Sequence, residues 1–226
     1  MIAVICAMTL EAEALKAKLE NVEEKVILNK TFYTGTINGK KLVLVVCGIG
    51  KVSAGVTTAL LIEHFKPSLI INSGIAGGYS KKLNTLDLVV SKEAAYYDVD
   101  LTADGAEYGK LSELPKYFEA NLEVTKLLDK NNINYYHGLI ITADTFAYDR
   151  NKVSAIVEAY YQKEEVLAID MESAAVAQVC YMNNTPFVNF RVISDVIGEE
   201  TQISMYYNFA ESAANKSIDA ILSIIE

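Results

Sequence analysis

Apolar runs of strand length alternate with helix-period segments along most of the chain. Strands are predicted at 2–7, 25–28, 31–37, 42–47, 68–73, 87–90, 92–99, 137–143, 166–169 and 186–193, where Val, Ile and Tyr dominate. Several of these runs are apolar at every position, as in strands covered on both faces. Asn38-Gly39, between 31–37 and 42–47, is a strong hairpin signal. The sheet is therefore mixed rather than purely parallel. Helical spacing recurs at 10–20, 51–65, 120–131, 151–161, 172–183 and 205–225. The second of these must stop before Pro67, which disfavours helical geometry in the residue ahead of it. Thr9 and Asp170 are the expected N-caps of the helices that follow them. This alternation predicts a three-layer α/β/α sandwich with a central mixed β-sheet, one domain spanning 1–226. The stretch 100–119 holds Asp, Gly, Glu, Ser and Pro but few aliphatics, and is the candidate for a long functional loop.

Composition narrows the possible partners. Hydrophobic residues make up 51% of the 226, enough for a substantial core. The net charge is −9, so the chain lacks the basic surplus of a phosphate-backbone binder, and no nucleic-acid partner is expected. An uncharged nucleoside is not excluded. No apolar stretch reaches the roughly 18–20 residues that span a bilayer. The run 1–7 lacks the basic flank of a signal peptide, so a cytoplasmic protein without a membrane partner is expected. Cys6, Cys47 and Cys180 are odd in number, far apart and set in apolar runs. They read as buried thiols rather than a disulfide framework or a metal site.

The glycine-rich stretches fit no nucleotide fingerprint. Gly48-Ile49-Gly50 has Ser53 where a dinucleotide motif needs its last glycine, and Val45 where a P-loop needs its first. Gly74-Ile75-Ala76-Gly77-Gly78 follows a predicted strand. It is either a tight turn of positive φ or a backbone that something approaches closely. Only His64 and His137 are available, without a Ser or Cys in a recognisable arrangement, so any chemistry should come from carboxylates. Glu11, Glu172 and Asp195 each follow an apolar run. In an open α/β sheet, ligands sit outside the carboxyl ends of strands. Each acid alone has a structural explanation, as a helix first-turn charge or a turn residue. The three together point toward one cleft.

The segments Ala168-Ile169-Asp170-Met171-Glu172 and Arg191-Val192-Ile193-Ser194-Asp195 resemble the 5'-methylthioadenosine/S-adenosylhomocysteine nucleosidases, within the purine nucleoside phosphorylase superfamily. The resemblance runs from Ile2 to about residue 222. It implies a nucleoside phosphorylase-like fold and hydrolysis of an N-glycosidic bond to adenine, with no cofactor and a homodimeric assembly. By the same resemblance Asp195 is the general acid at purine N7, oriented by Ser194, and Glu11 the base that activates water. Arg191 would position Glu11 and that water. Glu172 would accept hydrogen bonds from the ribose hydroxyls, with Met171 against the sugar. Phe146 would stack on adenine, the Ala147 backbone would read the purine edge, and Gly77 falls in the matching Ala-Gly-Gly. Met8, Ile49 and Leu101 would keep the 5' pocket apolar.

The chain also departs from the family. Ile75 replaces a Ser. Asp104 and Ala106 stand where a lid usually carries aromatic rings, and Met205 replaces a Phe. The 5' substituent is therefore open among methylthio, homocysteinyl and 5'-deoxy. Two other readings compete: a phosphorylase, and a silent nucleoside-binding protein. Against the first, Ile70-Ile71-Asn72-Ser73-Gly74 lacks the arginine that clamps phosphate, and the whole chain has only Arg150 and Arg191. Against the second, a silent relative would not need both an acid and a base.

Overall fold

The structure is a computed structural model, and it describes residues 1–225. Ten strands form one sheet. β1 (Ile2–Cys6) lies between β4 (Lys40–Val46) and β5 (Leu69–Gly78), parallel to both. β3 (Lys30–Ile37) and β2 (Glu20–Ile27) extend this end antiparallel. Asn38 and Gly39 both adopt positive φ, as the hairpin signal requires. Strict alternation sorts the core. Val4, Cys6, Leu42 and Leu44 face α1 (Thr9–Lys16), α3 (Thr125–Lys130) and α6 (Gln202–Ile225). Ala3, Ile5, Val43 and Val45 face α2 (Lys51–Phe65) and α5 (Ser173–Met182). The expected mixed sheet between helical layers is therefore present.

The other end of the sheet is not open. β5 pairs with β10 (Phe187–Val196), then β6 (Leu88–Tyr96), β8 (Tyr136–Thr142) and β9 (Val166–Asp170) follow, and β9 returns to β5. Ala76, Val89, Ile140, Ala168 and Ile193 come one from each strand of this ring and pack together inside it. A small strand, β7 (Phe118–Glu119), lies on β6, and α4 (Arg150–Tyr160) packs against the ring through Val153. β9 meets β5 antiparallel only at Gly77–Ile169 and Gly78–Ala168, so the carboxyl ends of two opposed strands overlap. That overlap, more than parallel alignment, gathers several strand ends at one place.

Several boundaries differ from expectation. The first helix stops at Lys16 rather than residue 20, because Lys18 and Leu19 turn the chain into β2. β2 begins five residues before its predicted start. Its Glu and Lys face solvent on an edge, so it carries no apolar alternation. The segments 87–90 and 92–99 are one strand with an irregularity between Ser91 and Glu93. The predicted helix 120–131 is a short turn at 122–124 followed by α3. Met8, not Thr9, holds the N-cap position of α1. Gly74, Gly77 and Gly78 lie within β5 and none has positive φ, so the turn reading fails there.

Candidate active site

A cleft of about 630 Å³, counting its open mouth, lies where β1, β5, β9 and β10 end, within the size range of small-molecule sites. Every predicted site residue lines it except Arg191 and Met205. Glu11 sits in the first turn of α1. Its carboxylate accepts the Met8 N–H at 2.8 Å and the Ile75 N–H at 3.1 Å. Position 75 therefore works through its backbone, which a change of side chain leaves intact. Burial raises the pKa of Glu11 against the opposing pull of Arg191 and the backbone donors.

Glu172 follows β9 and occupies the N-cap position of α5. It accepts the N–H of Gly50, whose φ of 97° suits glycine, at 2.9 Å. Burial likewise raises its pKa, with Arg191 opposing and Asp170 adding to the rise. Asp195 lies inside β10, not beyond it. Ile193 pairs with Ala76 and Asp195 with Gly77, so Ser194 is the extra residue of a β-bulge. Bulges re-aim side chains, and this one brings both Ser194 and Asp195 onto the cavity. The Ser194 hydroxyl donates to Asp195 Oδ1 at 2.6 Å, and the Gln202 amide donates to Oδ2 at 2.7 Å. Burial raises the Asp195 pKa, while these two donors pull it down.

Arg191 is fully buried behind the cavity wall. Its Nε donates to Asp170 Oδ2 at 2.7 Å, and Nη2 lies 3.6 Å from Glu172 Oε2. Its ion pairs are thus with Asp170 and Glu172; Glu11 acts on it only as a further nearby charge. Asp170, expected as the N-cap of the next helix, leaves that position to Glu172 but still accepts the Ser173 N–H. Thr142 Oγ1 donates to it at 2.6 Å, and Ser173 Oγ also bonds to it. A buried guanidinium needs such a counter-ion, since a lone charge there would cost several kcal/mol. Asn72 and Asn189 extend the same polar network through Ser173 and Ser91.

The glycines of β5 serve this close packing. A Cβ on Gly74 would meet Glu11 Oε1 and Arg191 Nη1, and one on Gly77 would come 3.3 Å from Asp195 Oδ2. Phe146 and Ala147 follow β8 on an irregular segment. The Phe146 ring meets Tyr206 edge-on, with centroids 5.6 Å apart. Tyr206, rather than its neighbour Met205, completes the wall. Asp170, Gln202 and Tyr206 are the residues that sequence reasoning missed. An arginine within the apolar run 187–193 was a usable signal that a buried acid must lie nearby. The segment with Leu101, Asp104 and Ala106 does not line the cleft of the single chain.

Residues 1–226 match the Phosphorylase superfamily. A 5'-methylthioadenosine/S-adenosylhomocysteine nucleosidase of Geobacillus sp. is 41% identical, covering 99% of this chain and 97% of the relative. The crystal structure of such a nucleosidase from Colwellia psychrerythraea 34H, in complex with adenine, superposes with a TM-score of 0.92 at 36% identity, covering 99% of this chain and 93% of that one. The corresponding enzyme from Neisseria meningitidis, in complex with methylthio-immucillin-A, gives 0.91 at 35% identity, with 99% and 97% covered.

Proposed function

The chain belongs to the 5'-methylthioadenosine/S-adenosylhomocysteine nucleosidases of the Phosphorylase superfamily, and from that premise we propose that it hydrolyses the N-glycosidic bond of these nucleosides to adenine and a 5'-substituted ribose. The observation that carries this reading is the convergence of Glu11, Glu172 and Asp195 on one cleft, two of them tied to backbone donors and the third to Ser194 and Gln202.

Breaking the bond leaves negative charge on the purine and positive charge on the ribosyl ring. Asp195, whose pKa burial raises, delivers a proton to N7. Such an acid contributes a factor of about 10² to 10⁴. Glu11 takes the proton from the attacking water, in the manner of the base of an inverting glycosidase. Glu172 accepts the ribose hydroxyls while Arg191 holds it from behind. Phe146 stacks on adenine, braced edge-on by Tyr206, and Met171 packs on the sugar.

Water is the nucleophile rather than phosphate. Arg191 is fully buried and does not line the cleft, and Arg150 donates to the carbonyls of Tyr79 and Ile197, so neither is placed to clamp a dianion there. The test is adenine release from methylthioadenosine, S-adenosylhomocysteine and 5'-deoxyadenosine in phosphate-free buffer. Free 5'-substituted ribose is expected. A ribose-1-phosphate product formed only when phosphate is added would overturn the hydrolytic reading.

Met8 to Tyr206 contribute to one cavity, which supports a single working domain over 1–226. A homodimer is supported by a stripe of exposed apolar residues, Ile49, Val52 and Val56, that starts at the cavity wall and continues along α2. Light scattering at assay concentration reads the assembly; a monomer would remove it. Three free, buried cysteines fit the reducing cytoplasm. No helix among the described residues is long and apolar enough to cross a membrane.

A further inference from the structure

Gln202 stands at the first turn of α6 with 3% of its surface exposed. All of its polar atoms are used. Nε2 donates to Asp195 Oδ2 at 2.7 Å and to the carbonyl of Ala147 at 2.8 Å, while Oε1 accepts the Gly198 N–H at 3.0 Å. Two oxygens on one side and an N–H on the other fix the orientation of the amide, because the flipped form would oppose like partners at all three contacts. The turn that leads to Gln202 is itself anchored. Arg150 donates to the Ile197 carbonyl at 3.1 Å, and a Cβ on Gly198 would meet the Arg150 side chain. A rigid turn therefore presents one amide to two different walls of the cleft.

We propose that Gln202 is a positioning residue that ties Asp195 to the segment 145–147, so that a single amide sets both the proton donor and the seat of the base it serves. This deepens the nucleosidase reading and rests on it for the identity of the base. The link is specific in chemistry. An acceptor-only side chain could not donate to Asp195 and Ala147, and a shorter amide could not span them with Gly198. It also bears on the acid's proton. An N–H donor to a carboxylate favours the charged form, and Gln202 is one of two donors that oppose the effect of burial on Asp195. The other titratable groups around the cavity are Glu11, Asp170 and Glu172 and the Tyr206 hydroxyl on α6. Among the described residues Asp195 makes no ion pair with any cation.

The test compares wild type with Gln202→Leu, of similar volume but without donors, and Gln202→Glu, which keeps the Gly198 acceptor. At the optimum, kcat should fall about 10- to 100-fold, the scale of a small misplacement of reacting groups. The alkaline limb of kcat/KM should move up by about one pH unit as the donor to the carboxylate is lost. A residue that only fills space would lower Tm and leave that limb in place. The Asp195 carboxyl is also titrated directly by ¹³C NMR in the protein without substrate, with Asp195→Asn supplying the assignment. This readout needs no turnover. If wild type releases no adenine but the Asp195 titration still rises in both variants, the nucleosidase reading fails and the role of Gln202 stands. If the limb and the Asp195 titration stay at their wild-type positions in either folded variant, the proposal is overturned.

Discussion

Replacing Gly74 by alanine should injure the site out of proportion to the single methyl added. Gly74 has ordinary extended φ, so the change carries no backbone penalty of the kind that follows positive φ. The cost is in space. The new Cβ would stand 2.5 Å from Glu11 Oε1, 3.0 Å from Glu11 Cδ and closer still to Arg191 Nη1. Comfortable contact needs roughly 3.5 Å, so one or both groups must retreat by about an ångström. Neither can swing away freely. Glu11 is fastened by the N–H groups of Met8 and Ile75, and Arg191 by Asp170, and both are buried. Overpacking of this sort costs about 1–3 kcal/mol, which lowers Tm by roughly 2–4 °C per kcal/mol in a chain of this size. An ångström of misplacement at reacting groups costs roughly 10²-fold in rate. Adenine release is measured at 25 °C, where the folded population should remain high, alongside Tm by calorimetry. A variant with near-wild-type kcat would refute the view that this glycine exists to let the base and the arginine approach.

Gly55→Ala, in the interior of α2 with only Val179 Cγ2 at 3.8 Å from the added carbon, should stabilise the chain by about 0.5–1 kcal/mol through helix propensity; a lower Tm would show that the α2–α5 contact has no room. The pH profile of kcat/KM should be a bell whose two limbs both lie above the ordinary carboxylate range of about 4. Glu11 must lose its proton to act as base, so activity falls as pH drops through its raised pKa, and Asp195 must keep its proton, so activity falls as pH rises through its own. By linkage the folded chain holds these protons more tightly than the unfolded one. Their contribution to stability is therefore greatest below about pH 4 and is withdrawn as pH climbs through the raised values. A flat rate profile from pH 4 to 9 would remove the carboxylates from these roles.

What the sequence reveals depends on how local the cause is. The hairpin at Asn38-Gly39 was legible because positive φ at two consecutive residues is a local demand. The buried strands were legible because Val4 and Cys6 must alternate with Ala3 and Ile5 wherever both faces are covered. β2 was only half visible, since its Glu and Lys side chains lie on an exposed edge and only pairing with β3 makes them a strand. The three acids could be named because each follows an apolar run. Their partners could not. Asp170 meets Arg191 across 21 positions, and Gln202 meets Ala147 across 55, through contacts that exist only once the ring closes. Tyr206 rather than Met205 faces the cleft because the rotation of α6 is set by its packing on β10 and α1.

The closed ring also explains how acid chemistry coexists with a stable core. An open parallel sheet would bring strand ends to one edge, where water keeps carboxylates near their ordinary pKa. Here β9 folds back across β5, and β10 bulges at Ser194, so the acids stand at the rim of a packed apolar interior. Burial raises all three pKa values, and a single buried arginine limits the rise unequally. It opposes the rise at Glu11 and Glu172 and contributes nothing resolved at Asp195, where neutral donors oppose it instead. That asymmetry matches the proposed division into acid and base. A fixed cation opposes the rise at Glu11, as the proposed base requires, while only neutral donors oppose it at Asp195, the proposed acid. The proposed roles therefore depend on where Arg191 sits in β10. Its side chain points behind Glu11 and Glu172, four residues before Asp195, which it leaves uncompensated.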